Sequence, residues 1–223
     1  MSISLESRIG TLAAEHPLAT RVFARHGIDF CCGGGRPLGT VCAEKGLNGA
    51  AILDEVQAEI EKPGEKVERW NDAPLGDVIV HILHAYHAPL REELPRLESM
   101  ARKVLDVHGA GDPERFGRIV SVVVALRAEL ESHMMKEERI LFPMIQSGSG
   151  AMAGGPISVM EDEHESAGAL LRELRELTNG YEVPEEACNT WRALWFGLAA
   201  LEAEMHQHIH IENNILFPRA LGE

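Results

Sequence analysis

Two stretches of the chain share one frame: His133-Met134-Met135-Lys136-Glu137-Glu138-Arg139-Ile140-Leu141-Phe142-Pro143 and, 75 positions on (208 minus 133), His208-Ile209-His210-Ile211-Glu212-Asn213-Asn214-Ile215-Leu216-Phe217-Pro218. In each a histidine leads a glutamate by four positions, and the glutamate leads the same Ile-Leu-Phe-Pro tail. Positions i and i+4 of an α-helix lie about 40° apart around the axis, so each stretch sets an imidazole beside a carboxylate on one face. One such pair is a common accident of helical sequence; two in the same frame are not. A further histidine precedes each pair, His87 by 46 positions (133 minus 87) and His164 by 44 (208 minus 164). Four imidazoles and two carboxylates are thus available to one site: His87, His133, Glu137, His164, His208 and Glu212.

Imidazole with carboxylate and no thiolate suits iron, manganese, zinc or copper better than calcium or magnesium. Six side chains exceed the four of a closed zinc site but suit two metals spanned by the two carboxylates, with positions left for an oxo or hydroxo bridge and a small ligand. A non-haem di-iron centre is the favoured reading. Taken singly, His81, His84, His206 and His210 are better read as hydrogen-bonded core residues. His84 lies three residues before His87 and His210 lies between the last two ligands, so either could stand behind a ligand or replace one. For the two glutamates the competing reading is a solvated helix face, and the apolar Ile-Leu-Phe beside each argues against it.

The elements that must position these groups are four long amphipathic segments after residue 74, with almost no strand signal. The first opens at Asp72-Ala73-Pro74 and reaches about His108, with local bends expected at Pro89 and Pro95. The second opens at Asp112-Pro113, a cap residue followed by proline, and ends near Gly148. The third opens at Pro156 and stops at Asn179-Gly180; the fourth begins after Pro184 and runs into the second repeat. Short connections imply an up-and-down four-helix bundle, and bundles build metal sites from side chains on facing helices. The chain is therefore expected to be all-α: a small helical domain at 1–62, a linker at 63–73 and the bundle at 74–223. Within the small domain a helix should end at Gly27, and Cys31-Cys32-Gly33-Gly34-Gly35 should form an exposed, mobile loop.

A formal charge of −14, from 21 basic and 35 acidic residues, argues against nucleic acid and anionic membranes as partners. The sequence lacks an apolar run long enough to span a bilayer and a basic-then-apolar leader, so a soluble protein is expected. Four cysteines, two adjacent, do not resemble a secreted disulfide framework and point to a reducing cytoplasm.

With these residues in view the chain resembles the repair-of-iron-centres family, di-iron proteins related to hemerythrin. The similarity rests on Asp29-Phe30-Cys31-Cys32-Gly33-Gly34, Ser132-His133-Met134-Met135-Lys136-Glu137-Glu138, Gly155-Pro156-Ile157-Ser158-Val159-Met160-Glu161 and Glu212-Asn213-Asn214. The resemblance implies that the six residues above are iron ligands, with Glu137 and Glu212 bridging. It also implies that Glu129 and Glu163 line a polar route for iron or a small molecule. The implied activity is repair of iron-sulfur clusters damaged by nitrosative or oxidative stress through iron donation, with damaged iron-sulfur proteins as partners. Rival readings are reduction of nitric oxide at the di-iron centre and a hemerythrin-like carrier or sensor of O2 or NO. Cys31 and Cys32 form a candidate thiol site toward a damaged cluster, Cys188 reads as a small hydrophobe, and a homodimer is a further expectation.

Overall fold

The computed structural model describes residues 3–62 and 69–222, so most of the expected linker, 63–68, lies outside the described residues. The chain divides into two compact units, Met1–Val78 together with His206–Glu223, and Ile79–Met205. Helix dominates both, and the extended pairing among the described residues is one bridge between Arg8 and Pro37. No helix among the described residues is long and apolar enough to cross a membrane.

The first unit holds four short helices, α1 (Ile9–Glu15), α2 (Ala19–Arg25), α3 (Leu38–Glu44) and α4 (Gly49–Ile60). Their apolar residues meet in one core: Ile9, Leu12, Val22, Phe23, Phe30, Leu38, Ile52 and Val56 are all buried. Helix α2 ends as its sequence predicts. Gly27 takes φ +60, and the Ile28 amide donates back to the Phe23 carbonyl at 2.8 Å, which closes the helix end. Asn48 starts α4 by accepting from the amides of Ala50 and Ala51.

The second unit, Ile79–Met205, holds most of the four-helix bundle, whose last helix runs on into the first unit. Its first helix combines α5 (Leu75–Ile82), a π turn (Leu83–His87) and α6 (Ala88–His108). The second combines α7 (Pro113–Lys136), a π turn (Glu137–Leu141) and α8 (Phe142–Gln146). Then come α9 (Gly154–Leu177) and α10 (Asn189–Ile211), the latter followed by a third π turn (Glu212–Leu216) and α11 (Phe217–Leu221). Helix α7 packs on α6 and on α9. An Arg175–Glu202 ion pair at 2.8 Å links α9 to α10, and a Cβ on Gly197 would stand 2.6 Å from Leu97, so α10 and α6 nearly touch. These contacts close a ring of four helices. Inside it Leu94, Leu97, Ile119, Leu126, Leu171, Leu174, Leu194 and Trp195 are buried at helical spacing. Truncating one such leucine to alanine is expected to cost about 2–5 kcal/mol.

Proline shapes these helices differently from the expected bends. Pro89, Pro143 and Pro218 each stand two residues after a π turn, whose closing amide (Ala88, Phe142, Phe217) donates to a carbonyl five residues back. A proline ring clashes with the carbonyl four residues back, and widening the turn by one residue moves that carbonyl away. Pro95, by contrast, lies inside α6 without ending it. One helix start differs: α9 opens at Gly154, ahead of Pro156, whereas α10 opens at Asn189, after Pro184 as expected.

Candidate metal centre

Each predicted ligand stands next to or within a π turn or in a helix interior. His87 ends the first π turn, Glu137 begins the second and Glu212 begins the third. In the bundle unit His87, His133, Glu137 and His164 are all buried. His133, Glu137 and His164 offer ligand atoms within 4.8 Å of one another, as His87 does with Glu137. The Nε2 atoms of His87 and His133 lie 3.3 and 3.4 Å from Glu137 Oε2, and Nε2 of His164 lies 3.1 Å from Nε2 of His133. In the other unit, buried His208 places Nε2 3.0 Å from Oε1 of buried Glu212.

Outer carboxylates set the imidazole tautomers. Nδ1 of His87 lies 2.8 Å from Glu138 Oε1, to which Arg91 also donates, and Nδ1 of His133 lies 3.0 Å from Glu163 Oε2, while Lys136 donates to Oε1 of the same carboxylate. Burial alone would raise both carboxyl pKa values, but the bonds from Lys136 and His133 to Glu163, and from His87 and Arg91 to Glu138, outweigh it and hold both below the usual carboxylate range. Ionised carboxylates only accept, so each imidazole donates outward from Nδ1 and turns the lone pair of Nε2 toward Glu137. The Glu137 carboxylate is wholly buried, and among the described residues its oxygens accept no hydrogen bond. Acceptors therefore face acceptors in a closed space, an arrangement costing several kcal/mol unless a cation stands among them. The donor set fits a metal of the imidazole-and-carboxylate class.

The remaining predicted residues divide. Glu129 accepts from the Ser166 hydroxyl at 2.9 Å, and with Glu163, Asp162, Ser132 and Lys136 it lines an open cleft of about 560 Å³. The structure thus brings Glu129 and Glu163 to one cleft. His84, three residues before His87 in the same π turn, is exposed. His210 is buried, yet it serves the N-terminal module. Its Nδ1 donates to the Phe30 carbonyl at 3.3 Å and its ring meets the Phe30 ring edge-on at 5.6 Å. Burial pushes this imidazole down to about 4, so it is a neutral donor near neutral pH.

The cysteine segment also departs from expectation. Cys32–Gly35 forms a short 3₁₀ turn, and Cys31 is buried with 5% exposure, in place of an exposed loop. Asn214 Nδ2 donates to the carbonyls of Cys31 at 3.0 Å and Phe30 at 3.3 Å, and Gly10 and Gly34 leave room where a Cβ would strike that asparagine. The Cys31 thiol and amide both donate to Asp29 Oδ1, at 3.1 and 3.0 Å. The Cys32 contact, burial and the Asp29 carboxylate all push the Cys31 thiol pKa strongly upward, so it is a held thiol and not a thiolate. Cys32 is partly exposed, 4.0 Å away sulfur to sulfur.

Three residues escaped the sequence reading: Glu138, Arg91 and Asn214. A signal existed for the last. His206, His210 and Asn214 recur every four residues and make one stripe on Phe30 and Cys31, while His208 and Glu212 lie about 200° around the helix from it.

The family model described as the hemerythrin HHE cation binding domain matches residues 78–220, and a domain of unknown function, ScdA_N, matches residues 5–60. The iron-sulfur cluster repair protein YtfE of Pectobacterium atrosepticum is 46% identical over 219 residues, covering 97% of each chain. The proteins of that name from Cronobacter sakazakii and Edwardsiella ictaluri are 46% and 44% identical, each covering 96% of both chains. With a buried histidine and glutamate cluster in a four-helix bundle, and relatives matching from end to end, this chain belongs to the iron-sulfur cluster repair family whose bundle is a di-iron hemerythrin domain.

Proposed function

We propose that this protein restores iron-sulfur clusters damaged by nitric oxide or peroxide, donating iron held by His87, His133, Glu137, His164, His208 and Glu212. The reading rests above all on the buried Glu137 carboxylate, whose oxygens accept no hydrogen bond among the described residues while the imidazoles of His87 and His133 approach it. Relatives named as iron-sulfur cluster repair proteins support the choice of client. In this reading His87 with His133 and Glu137 forms one half of the proposed ligand set, and His164 with His208 and Glu212 forms the other. In this reading the two bridging carboxylates are Glu137 and Glu212, and the irons are cargo as well as cofactor, lost to a client whose cluster lacks metal.

The chain's own residues hold that cargo reversibly. Glu138 and Glu163 keep the imidazoles of His87 and His133 aimed inward by accepting their Nδ1 protons. Glu129 and Glu163 line an acidic opening through which a cation would pass, drawn by carboxylates and steadied by Lys136. Residues 1–62 act as a separate small domain that presents the thiol-bearing turn, and the protein works in the cytoplasm on iron-sulfur proteins.

The test is direct. An iron-sulfur dehydratase is inactivated with nitric oxide and mixed with iron-loaded protein. Wild type should restore activity, while Glu137→Leu and Glu212→Leu should not. Full recovery with either variant overturns the proposal.

A further inference from the structure

Two side chains that the sequence assigns to the interior stand in solvent. Cys188 is exposed, its sulfur 3.2 Å from Nε2 of His108, and Ile140, from the first Ile-Leu-Phe tail, is 54% exposed. Ile140 belongs to a larger feature. With Leu141, Pro156, Val159, Met160 and Lys136 it lines a groove of about 280 Å³ between the second helix and the start of α9. Leu141 and Met160 are buried and make the floor, while Ile140 and the exposed Val159 make the rim. The floor lies about one turn from metal ligands on both helices: Leu141 follows Glu137 by four residues, and Met160 precedes His164 by four.

What covers this groove is indicated by its neighbours. Val159 and Lys136 also line the cleft next to it, where Glu163 holds Nδ1 of His133 at 3.0 Å, so groove and cleft form one surface beside the metal ligands. The charged lining of the cleft is Glu129, Asp162 and Glu163 with Lys136, and Lys136 is paired to Glu163. An excess of carboxylate calls for a basic partner. A second copy of this chain, with a formal charge of −14, would bring like charge to it. The apolar part is aliphatic and methionine: of the seven large apolar side chains exposed among the described residues, Met135, Ile140, Met152 and Val159 fall between 135 and 159. Flexible side chains of this kind repack against differing partners, as a surface that meets several clients requires.

On the iron-donation reading above, we infer that the groove and the cleft together are the docking surface for an iron-accepting client protein. The client sets one bulky apolar side chain between Ile140 and Val159 and lays lysine or arginine side chains against Glu129 and Asp162. Burial of the apolar side chain supplies the anchor, and the charges supply orientation and a faster encounter. A client seated there has its accepting site beside the cleft, so the metal passes from one protein to the other over a short path.

The test uses iron-loaded full-length protein and a dehydratase inactivated with nitric oxide. The initial rate of reactivation, followed against the concentration of this protein, yields a half-saturating concentration. Ile140→Gln should raise it about fivefold, because the exposed half of that side chain loses its apolar contact, and Ile140→Leu should leave it within about twofold. Iron removal by a small chelator should be equally fast in wild type and both variants. Raising salt from about 50 to about 300 mM should weaken docking several-fold in wild type and less in Asp162→Asn. Reactivation with the same half-saturating concentration in wild type and Ile140→Gln overturns the docking surface and leaves iron donation standing. If wild type reactivates nothing, iron donation falls, and fluorescence anisotropy of the labelled protein with the inactivated dehydratase decides docking. Binding weakened by Ile140→Gln supports it; equal binding, or none, overturns it. A wild-type dimer that Ile140→Gln dissociates in analytical ultracentrifugation would assign the groove to a second copy and also overturn it.

Discussion

The two copies of the His-x3-Glu frame begin alike and then serve different ends. Both place the glutamate first in a π turn, both bury it completely, and both follow the turn with Phe-Pro. After the glutamate they part. In the first copy the next residue is Glu138, which holds Nδ1 of His87 at 2.8 Å. In the second, Asn214 stands two residues after the glutamate and donates to the Phe30 and Cys31 carbonyls. One copy spends its variable positions orienting an imidazole, the other fastening a thiol-bearing turn. What the copies share is therefore what a buried carboxylate needs, and what differs is what each neighbourhood needs. Even the common apolar tail is used differently: Ile140 is 54% exposed, whereas its counterpart Ile215 is buried at 3%.

The comparison can be broken at either copy. The largest effect is expected from Glu137→Leu, which should drop iron from about two per chain to below one, measured by elemental analysis. The same variant, stripped of metal, should unfold about 1–3 kcal/mol later than metal-free wild type, because an apolar side chain replaces a buried carboxylate that accepts no hydrogen bond. A metal-free variant less stable than wild type would show that the carboxylate is satisfied without a cation. At the second copy, Gly34→Ala puts a Cβ 2.5 Å from Asn214 Oδ1 and 3.0 Å from the Gly10 backbone. That should cost about 1–3 kcal/mol in denaturant unfolding and speed amide exchange over residues 31–35, with iron content unchanged.

Two milder substitutions sharpen the contrast. Glu163→Gln removes the anion that fixes the His133 tautomer and should weaken iron retention against a chelator by about 10- to 100-fold, leaving Cys31 as protected as before. Asn214→Ala should do the reverse: about 1 kcal/mol lost and faster alkylation of Cys31, with chelator competition unaltered. If either variant produced both effects, the division of labour between the copies would be wrong.

Much of this was legible beforehand because it depends on local periodicity. The four bundle helices follow from apolar residues every three or four positions, and Asp112 caps α7 by accepting from the Arg115 amide, as its place before Pro113 predicts. His133 and Glu137 meet because four residues nearly complete a helical turn. The π turns were not legible, although the prolines two residues beyond them were in plain view, because a proline can bend, end or widen a helix and its packing selects among these.

The sequence by itself determined the helical elements, their caps and the paired imidazole-carboxylate frames, all of which follow from bonds and spacings within about one turn. Tertiary structure decided the rest. It brought Glu138 from α7's continuation onto His87 and Glu163 from α9 onto His133, buried Cys31 beneath Asn214, and laid His108 against Cys188. Those pairs are separated by 51, 30, 183 and 80 residues, so no local rule reaches them. They depend on which faces pack together once the apolar stripes are buried.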